Sequence, residues 1–113
     1  MEKSEIFRKW GIFHKSYDSA GILNSFANHL EYSLSKDQYT ATLRDAYLSL
    51  SLAVRDRLIE QWIKTQQLYH EKDVKRVYYL SAEYLIGRAL TNNLINLGIY
   101  EETTKAMSRI DLE

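Results

Sequence analysis

One short segment of this 113-residue chain limits the folds that it can adopt. Residues 76–81 read Arg-Val-Tyr-Tyr-Leu-Ser, and the β-branched and aromatic content of Val77–Leu80 is typical of a strand buried on both faces. No second segment of the sequence has a strand pattern. Burying the unpaired N–H and C=O groups of a lone strand costs about 1–3 kcal/mol each. The segment therefore predicts a sheet whose other strands come from a second copy or from sequence outside this chain.

The composition is that of a neutral globular chain. Hydrophobic residues make up 45% and charged residues 27%, with 15 Lys and Arg against 15 Asp and Glu. Zero net charge gives no support to a nucleic-acid or anionic-membrane partner, both of which favour a basic surface. The lack of cysteine excludes disulfides, Cys-ligated zinc and thiol chemistry. Without a signal-peptide pattern or a long apolar run, we expect a cytoplasmic protein with no membrane partner.

A first helix is predicted before the strand. Asp18 and Ser19 are suited to cap it, and apolar residues at three- and four-residue spacing continue to Leu34. Lys36–Ala41 breaks this stripe and is predicted to be a loop. The polar residues 1–17 ahead of the helix, with their scattered aromatic side chains, are predicted to be an N-terminal arm that frays or docks elsewhere.

A second, long helix is predicted after the loop. Thr42 and Asp45 have the spacing of a capping box, in which each side chain binds the other residue's backbone N–H. The apolar period then continues to about Tyr69, which gives a helix of ~26 residues and ~39 Å. Glu60 and Lys64 stand one turn apart and are predicted to pair on the solvent side.

Helical patterns return after the strand. Leu85–Leu97 is predicted to be a helix, with Gly98 at the position that follows its C-cap. Glu101–Met107 is predicted to be a short helix with acidic residues at its start. The fold predicted from the residues alone is therefore mostly α with one strand.

The catalytic signals in the sequence are weak. The histidines lack metal-ligand spacing, and the four glycines are scattered rather than gathered in a phosphate-binding loop. We therefore predict no metal site. The three histidines are His14, His29 and His70.

The end of the long helix is one candidate binding site. It carries an aromatic ring, two amides and an imidazole on neighbouring positions: Trp62, Gln66, Gln67 and His70. A ring that stacks and amides that hydrogen-bond suit a nucleotide, but a partly buried Trp on a core stripe with solvated Gln is the favoured alternative. Lys72, Lys75 and Arg76 form a basic cluster suited to phosphate, although the interleaved acids favour a self-compensating turn.

Glu83 is the second candidate, because it directly follows the carboxyl end of the predicted strand. Ligands of α/β sheets gather beyond such strand ends, where a carboxylate is suited to hydrogen-bond a substrate. The alternatives are that Glu83 pairs with Arg88 or caps the next helix.

Four short sequence motifs stand out, and they are Val54–Leu58, Trp62–Gln67, Glu71–Glu83 and Gly87–Arg88. In their order and spacing, these motifs resemble the N-terminal part of the glycogen (α-1,4-glucan) phosphorylases. The resemblance runs without gaps from about Phe26 to about Leu97, roughly the middle two-thirds of the chain.

This resemblance implies an α/β parent fold with two Rossmann-like domains, of the GT-B glycosyltransferase type, in which the active site lies between the domains. It implies phosphorolysis of α-1,4-glucan ends by orthophosphate, which yields α-glucose 1-phosphate and uses pyridoxal phosphate as cofactor. It also implies a homodimer. The lone strand would then belong to the large sheet of the N-terminal domain.

The resemblance also assigns roles to single residues. Glu83 matches a glutamate at the edge of the glucosyl site, where it supports the substrate by hydrogen bonding. Trp62, Gln66 and Gln67 match residues that line an AMP effector site in nucleotide-activated members. Those members have a stacking Tyr where this chain has His70, which speaks against AMP activation.

The loop before the long helix matches the cap that contacts the other subunit in family members. The cap residues assigned in this way are Lys36, Asp37, Tyr39, Thr40 and Arg44. Animal members carry a phosphorylatable Ser upstream, and ungapped alignment places Lys9 there, so no phosphoserine switch is predicted. Leu43 and Val74 replace two prolines of the family.

Family members are several times longer than this chain. We therefore expect an N-terminal fragment in which residues 18–113 begin an incomplete phosphorylase domain. The cofactor lysine and most of the active site are expected beyond Glu113, so this chain alone is expected to be inactive and to bind no cofactor. The alternative is a non-catalytic helical module for dimerisation or regulation.

Overall fold

The computed structural model describes residues 14–85 and 87–112, and within these ranges the chain is mostly helical. The helices are α1 (Ser19–Asn28), which continues as a π-helical turn over His29–Ser33, α2 (Leu43–Lys72), α3 (Leu90–Asn96) and α4 (Tyr100–Ser108). Helix α1 packs against both α2 and α4, and α3 packs against the same two helices. The part of the chain beyond these ranges includes Lys9 and most of the predicted arm.

The capping residues predicted from the sequence start both long elements. The Asp18 carboxylate accepts the N–H of Gly21 at 2.9 Å at the start of α1. At α2, the Thr42 hydroxyl accepts the N–H of Asp45 at 3.2 Å, and the Asp45 carboxylate accepts the N–H of Thr42 at 2.9 Å. The capping box is thus confirmed, and α2 runs three residues beyond the predicted end, to Lys72.

The core lies where the two predicted apolar stripes meet α3 and α4. Its buried members are Ile22, Phe26, Val54, Leu94, Ile99, Ala106 and Met107. A polar contact joins the same elements, because the Glu102 carboxylate of α4 accepts the N–H of Ser19 at 3.0 Å. The core therefore depends on contacts between the two ends of the chain.

A buried arginine fastens residues 14–17 to α2. The Arg57 side chain is fully buried, and its Nε donates to the carbonyl oxygen of Ser16 at 3.0 Å. Its Nη1 donates to the carbonyl oxygen of Ala53 at 2.7 Å, and its guanidinium lies 5.8 Å from the Tyr17 ring centre. Burial lowers the pKa of Arg57, and neighbouring carboxylates oppose that shift. This end of the predicted arm therefore docks on α2, whereas residues 1–13 lie outside the described ranges.

The predicted strand at Val77–Leu80 is wrong. These residues adopt no regular secondary structure, and their exposed fractions lie between 77% and 92%. No β-strand forms anywhere in residues 14–85 and 87–112, so there is no ladder for the segment to join. Its peptide groups remain open to water, because a strand cannot form without a second strand to pair with.

The third helix is shorter than predicted. It spans Leu90–Asn96 instead of Leu85–Leu97, and Leu85 is 99% exposed. No packing therefore stabilises an additional N-terminal turn, which is what short helices require. Gly98 follows the C-cap with φ of 71°, as predicted, and α4 covers the predicted Glu101–Met107 with one further residue at each end.

Candidate functional site

The group of residues predicted to bind a nucleotide lies near the C-terminal end of α2. Trp62, Gln66 and His70 follow one side of the helix at four-residue spacing, and the Trp62 ring is 68% exposed. The alternative of a partly buried Trp62 on the core stripe is therefore wrong. Arg76 donates from Nη1 to Oε1 of Gln66 at 3.0 Å, and its guanidinium lies 5.6 Å from the Tyr69 ring centre. The structure thus adds a cation to this group.

Gln67 lies apart from the other members of the group. It lines a cavity of about 240 Å³ between α2 and residues 14–15. Asp56, Glu60 and Lys64 of α2 line the same cavity. Gln66 and Gln67 therefore lie in different surroundings. The structure does not bring all four predicted residues into one pocket.

The charged groups of this cavity are already paired with each other. Glu60 Oε1 accepts Lys64 Nζ at 2.9 Å and lies 2.9 Å from His14 Nδ1, and these two hydrogen bonds lower the pKa of Glu60 to about 2. Asp56 Oδ2 lies 2.8 Å from His29 Nε2 and 3.8 Å from Lys15 Nζ. The predicted Glu60–Lys64 pair is confirmed, and the cavity offers balanced charge rather than a substrate-binding cation or anion.

Glu83 lies on the exposed connection between α2 and α3. Its backbone N–H donates to Ser81 Oγ at 3.2 Å, and that hydroxyl donates to the carbonyl oxygen of Glu83 at 2.8 Å. Within the described ranges its carboxylate forms no ion pair with Arg88 and caps no helix, because α3 begins after Ala89 without a side-chain cap. Neither structural alternative to a ligand-binding role is therefore observed.

The predicted cap loop is held by one carboxylate. Asp37 Oδ1 accepts the N–H of Tyr39 at 3.0 Å and both the N–H and the hydroxyl of Thr40 at 2.8 Å. These bonds, led by the Thr40 hydroxyl, lower the pKa of Asp37. Tyr39 and Arg44 are exposed, and Lys36 Nζ lies 4.0 Å from a carboxylate of α2. The loop thus has a fixed backbone that presents exposed side chains.

Neither a bilayer-spanning helix nor a metal-binding cluster occurs in residues 14–85 and 87–112. No helix there combines the length and the apolarity that crossing a bilayer requires. No three His, Asp or Glu side chains of the same ranges gather in a way that suits a metal ion.

No protein-family profile matches this sequence, but several glycogen phosphorylases are similar to it. The brain form of glycogen phosphorylase from Bos taurus is 46% identical over 96 residues, which is 85% of this chain. The human brain form is 44% identical over the same length, and the human liver form is 46% identical over 94 residues, or 83% of the chain. This homology places the chain in the glycogen phosphorylase family.

The similarity covers only a small part of each of those proteins. The chain spans 11% of the length of each of these three phosphorylases. The match is consistent with an N-terminal part of the family, as the resemblance in the sequence implies.

Sequence reasoning missed the two arginines that organise the described structure. Arg57 stands three residues after Val54, so it falls on the buried stripe of α2, where a charged residue signals a specific set of acceptors. The sequence places Arg76 in a basic cluster suited to phosphate, for which a self-compensating turn is the favoured interpretation, and no pattern in the sequence indicates its bond to Gln66 ten residues earlier.

Proposed function

We propose that this chain is the N-terminal part of a glucan phosphorylase that cleaves α-1,4-glucan ends with orthophosphate and releases α-glucose 1-phosphate. The observation that carries the proposal is the identity of 44–46% to glycogen phosphorylases over 85% of the chain. The whole enzyme would be a cytoplasmic homodimer with two Rossmann-like domains of the GT-B type. The same identity supports this proposal over a separate helical module.

The cavity between α2 and residues 14–15 does not fit the pyridoxal phosphate that the family implies. A lysine that binds the aldehyde of this cofactor must offer a free amine, and Lys15 and Lys64, the lysines that line the cavity, each lie beside a carboxylate. We therefore assign no cofactor contact to the described residues. In the proposal, the cofactor and its lysine belong to the remainder of the whole enzyme.

Within the proposed enzyme, Glu83 supports the glucosyl group as a hydrogen-bond acceptor. Its exposure and its lack of an ion-pair partner in the described chain leave the carboxylate open to a sugar hydroxyl. Hydrogen bonds to a charged group contribute about 1.5–3 kcal/mol, so loss of the charge should lower kcat/KM about tenfold or more.

A chimera tests the proposal directly. The matched 96 residues of the Bos taurus brain form would be replaced by those of this chain, and glucose 1-phosphate release from glycogen and orthophosphate would be measured. We expect activity from the chimera and none from the 113-residue chain alone. A well-folded, cofactor-loaded chimera without activity would contradict the proposal.

Two variants of that chimera test the role of Glu83. Glu83→Gln keeps the size and removes the charge, and it should lose activity about tenfold. Glu101→Gln is the matched control, because it removes an exposed carboxylate of α4 away from the connection. Equal activities of the two variants would remove Glu83 from the site.

We further propose that the group on α2 no longer responds to AMP, because His70 replaces the stacking Tyr. The chimera should gain no activity from AMP, whereas its His70→Tyr variant should become activated. Activation of the chimera by AMP without the substitution would show that His70 suffices.

The exposed cap residues Tyr39 and Arg44 would contact the second subunit in the same enzyme.

A further inference from the structure

The core of the described structure forms without the connection between α2 and α3. All of its buried and partly buried apolar members lie on the four helices or directly beside them, and none lies between Asp73 and Ala89. The two ends of the chain close this core, because Glu102 of α4 accepts the N–H of Ser19 at the start of α1. The helices therefore pack together without help from the apolar residues of the connection.

The connection carries an apolar segment, Val77–Leu80, that needs cover on both faces. In an extended conformation Val77 and Tyr79 lie on one face, and Tyr78 and Leu80 lie on the other. All four side chains are 77% to 92% exposed in the described chain. Strands that are apolar on both faces occur inside sheets that helices cover on either side. The segment is therefore suited to an interior strand rather than to the edge of a sheet.

A second copy of this chain does not supply such an environment. Pairing Val77–Leu80 with its own copy would give a two-stranded ribbon, in which each strand keeps one unpaired edge and both faces stay open to water. A ribbon of this kind is only marginally stable. The partner that fits the segment must instead offer two strand edges and an apolar layer on each side.

We propose that the 113-residue chain binds the remainder of a glucan phosphorylase without a covalent link, and that Val77–Leu80 enters a gap between two strands of that partner. The partner follows from the family, because the chain spans 11% of the length of each of the three phosphorylases compared above. The inference rests on the proposed function and adds that contacts suffice to join the two parts. Backbone pairing on both edges and burial of both faces would supply the affinity.

Both ends of the segment suit this insertion. Arg76 holds its start at α2, since Nη1 donates to Oε1 of Gln66 at 3.0 Å and the guanidinium lies 5.6 Å from the Tyr69 ring centre. A segment with a fixed start loses less conformational freedom on binding. At the other end, Glu83 would follow the carboxyl end of the inserted strand, which is where the proposed function needs its carboxylate.

Complementation in trans tests the inference. The Bos taurus brain form without its matched 96 residues would be produced together with the affinity-tagged 113-residue chain. We expect the two parts to co-purify in a one-to-one ratio and to release glucose 1-phosphate. An active covalent chimera without co-purification of the separate parts would overturn the inference and leave the proposed function standing. Recovery of a second copy of the chain in place of the phosphorylase part would overturn it as well.

Substitutions within the segment test its interior position. Tyr78→Lys and Tyr79→Lys place a charge on opposite faces, and each should lower the yield of the complex about tenfold or more. Both side chains are exposed in the described chain, so neither variant should change the urea denaturation of the chain alone. Tyr32→Lys is the matched control, because it replaces an equally exposed tyrosine outside the connection. Full binding by either segment variant would overturn the interior position.

Hydrogen exchange gives a readout that does not depend on substitution. Within the described ranges no peptide group of Val77–Leu80 takes part in a backbone–backbone hydrogen bond. These amides should therefore exchange without protection in the chain alone and about a hundredfold more slowly in the complex. Equal exchange in a co-purified complex would contradict insertion of the segment. Co-purification and exchange decide this inference, whereas the activity of the covalent chimera decides the proposed function, so the two can fail separately.

Discussion

The two halves of α2 carry the same apolar period but have opposite surroundings. In the first half Ser49, Ala53, Val54 and Arg57 are buried against α1, α3 and residues 14–17. In the second half, beyond the half-buried Leu58 and Ile59, the large side chains are exposed, and they are Trp62, Ile63, Leu68 and Tyr69. The difference shows that helical periodicity defines a face, while burial depends on whether another element reaches it.

The two halves should therefore respond differently to mutation. Side chains of the first half are held by several partners, so their loss costs transfer free energy and leaves unsatisfied groups. Large apolar side chains of the second half such as Trp62 and Leu68 are exposed, so their loss removes little packing within the described chain. The stability changes caused by substitutions along α2 therefore show where packing by other elements begins and ends.

The largest effect is expected from Arg57→Ala in the buried half. The substitution leaves a cavity and removes the donor from the carbonyl oxygens of Ser16 and Ala53. We expect the free energy of unfolding to fall by about 3 kcal/mol, to be measured by urea denaturation followed by circular dichroism.

Arg57→Lys keeps the charge but cannot supply the planar set of donors, so it should lose an intermediate amount of stability. Its value also keeps the test informative if the alanine variant does not fold. Equal stability of wild type and Arg57→Lys would mean that charge alone, and not the fork of donors, fastens residues 14–17.

Much of the covered part of the fold could be predicted from the sequence, because local rules determine it. Asp18, Thr42 and Gly98 act within a few residues of their own positions, and each behaves as predicted. The predicted strand at Val77–Leu80 was wrong because a strand forms only when its backbone pairs with a second strand. No local sequence pattern supplies that second strand.

The candidate site was less predictable, since it depends on contacts between distant residues. The spacing of Trp62 and Gln66 places them on one side of a helix, as the structure shows. The Arg76–Gln66 bond and the pairing of Asp56 with His29 join residues that are far apart in the sequence. Such contacts follow from packing, which periodicity does not specify.

A second prediction sharpens the comparison at the start of α2. Thr42→Ala removes the hydroxyl that accepts the N–H of Asp45, and the Asp45 carboxylate loses the hydrogen bond that this hydroxyl donates. Loss of a cap typically costs about 1 kcal/mol. Urea denaturation should show this loss, whereas Thr65→Ala in the exposed half, whose hydroxyl only bonds the carbonyl oxygen of Gln61, should change little.

A third prediction concerns Glu60, the residue of α2 that contacts His14 and Lys15. Its folded pKa of about 2 lies below its ordinary value of 4.5, so ionised Glu60 stabilises the fold above pH 4.5. This contribution should disappear as the pH falls from about 4.5 towards about 2. Glu60→Gln should flatten stability in that window and cost about 0.5 kcal/mol at pH 7.

The control for this pH dependence is Glu101→Gln, which removes an exposed carboxylate of α4. Its stability curve should keep the acid-side slope of the wild type. If Glu60→Gln keeps that slope as well, the hydrogen bonds of Glu60 with Lys64 and His14 do not contribute to folding.

The smallest effect is expected from Trp62→Ala in the exposed half. Since the ring is 68% exposed and Ala has the higher helix propensity, unfolding free energy should change by no more than about 0.5 kcal/mol. Val54→Ala, two turns earlier and buried, should cost about 1.5 kcal/mol. Urea denaturation at two protein concentrations separates the possible causes of a larger loss. A loss for Trp62→Ala that grows with concentration would mean that a second copy covers the ring, and the contrast between the halves of α2 would then hold only for the monomer.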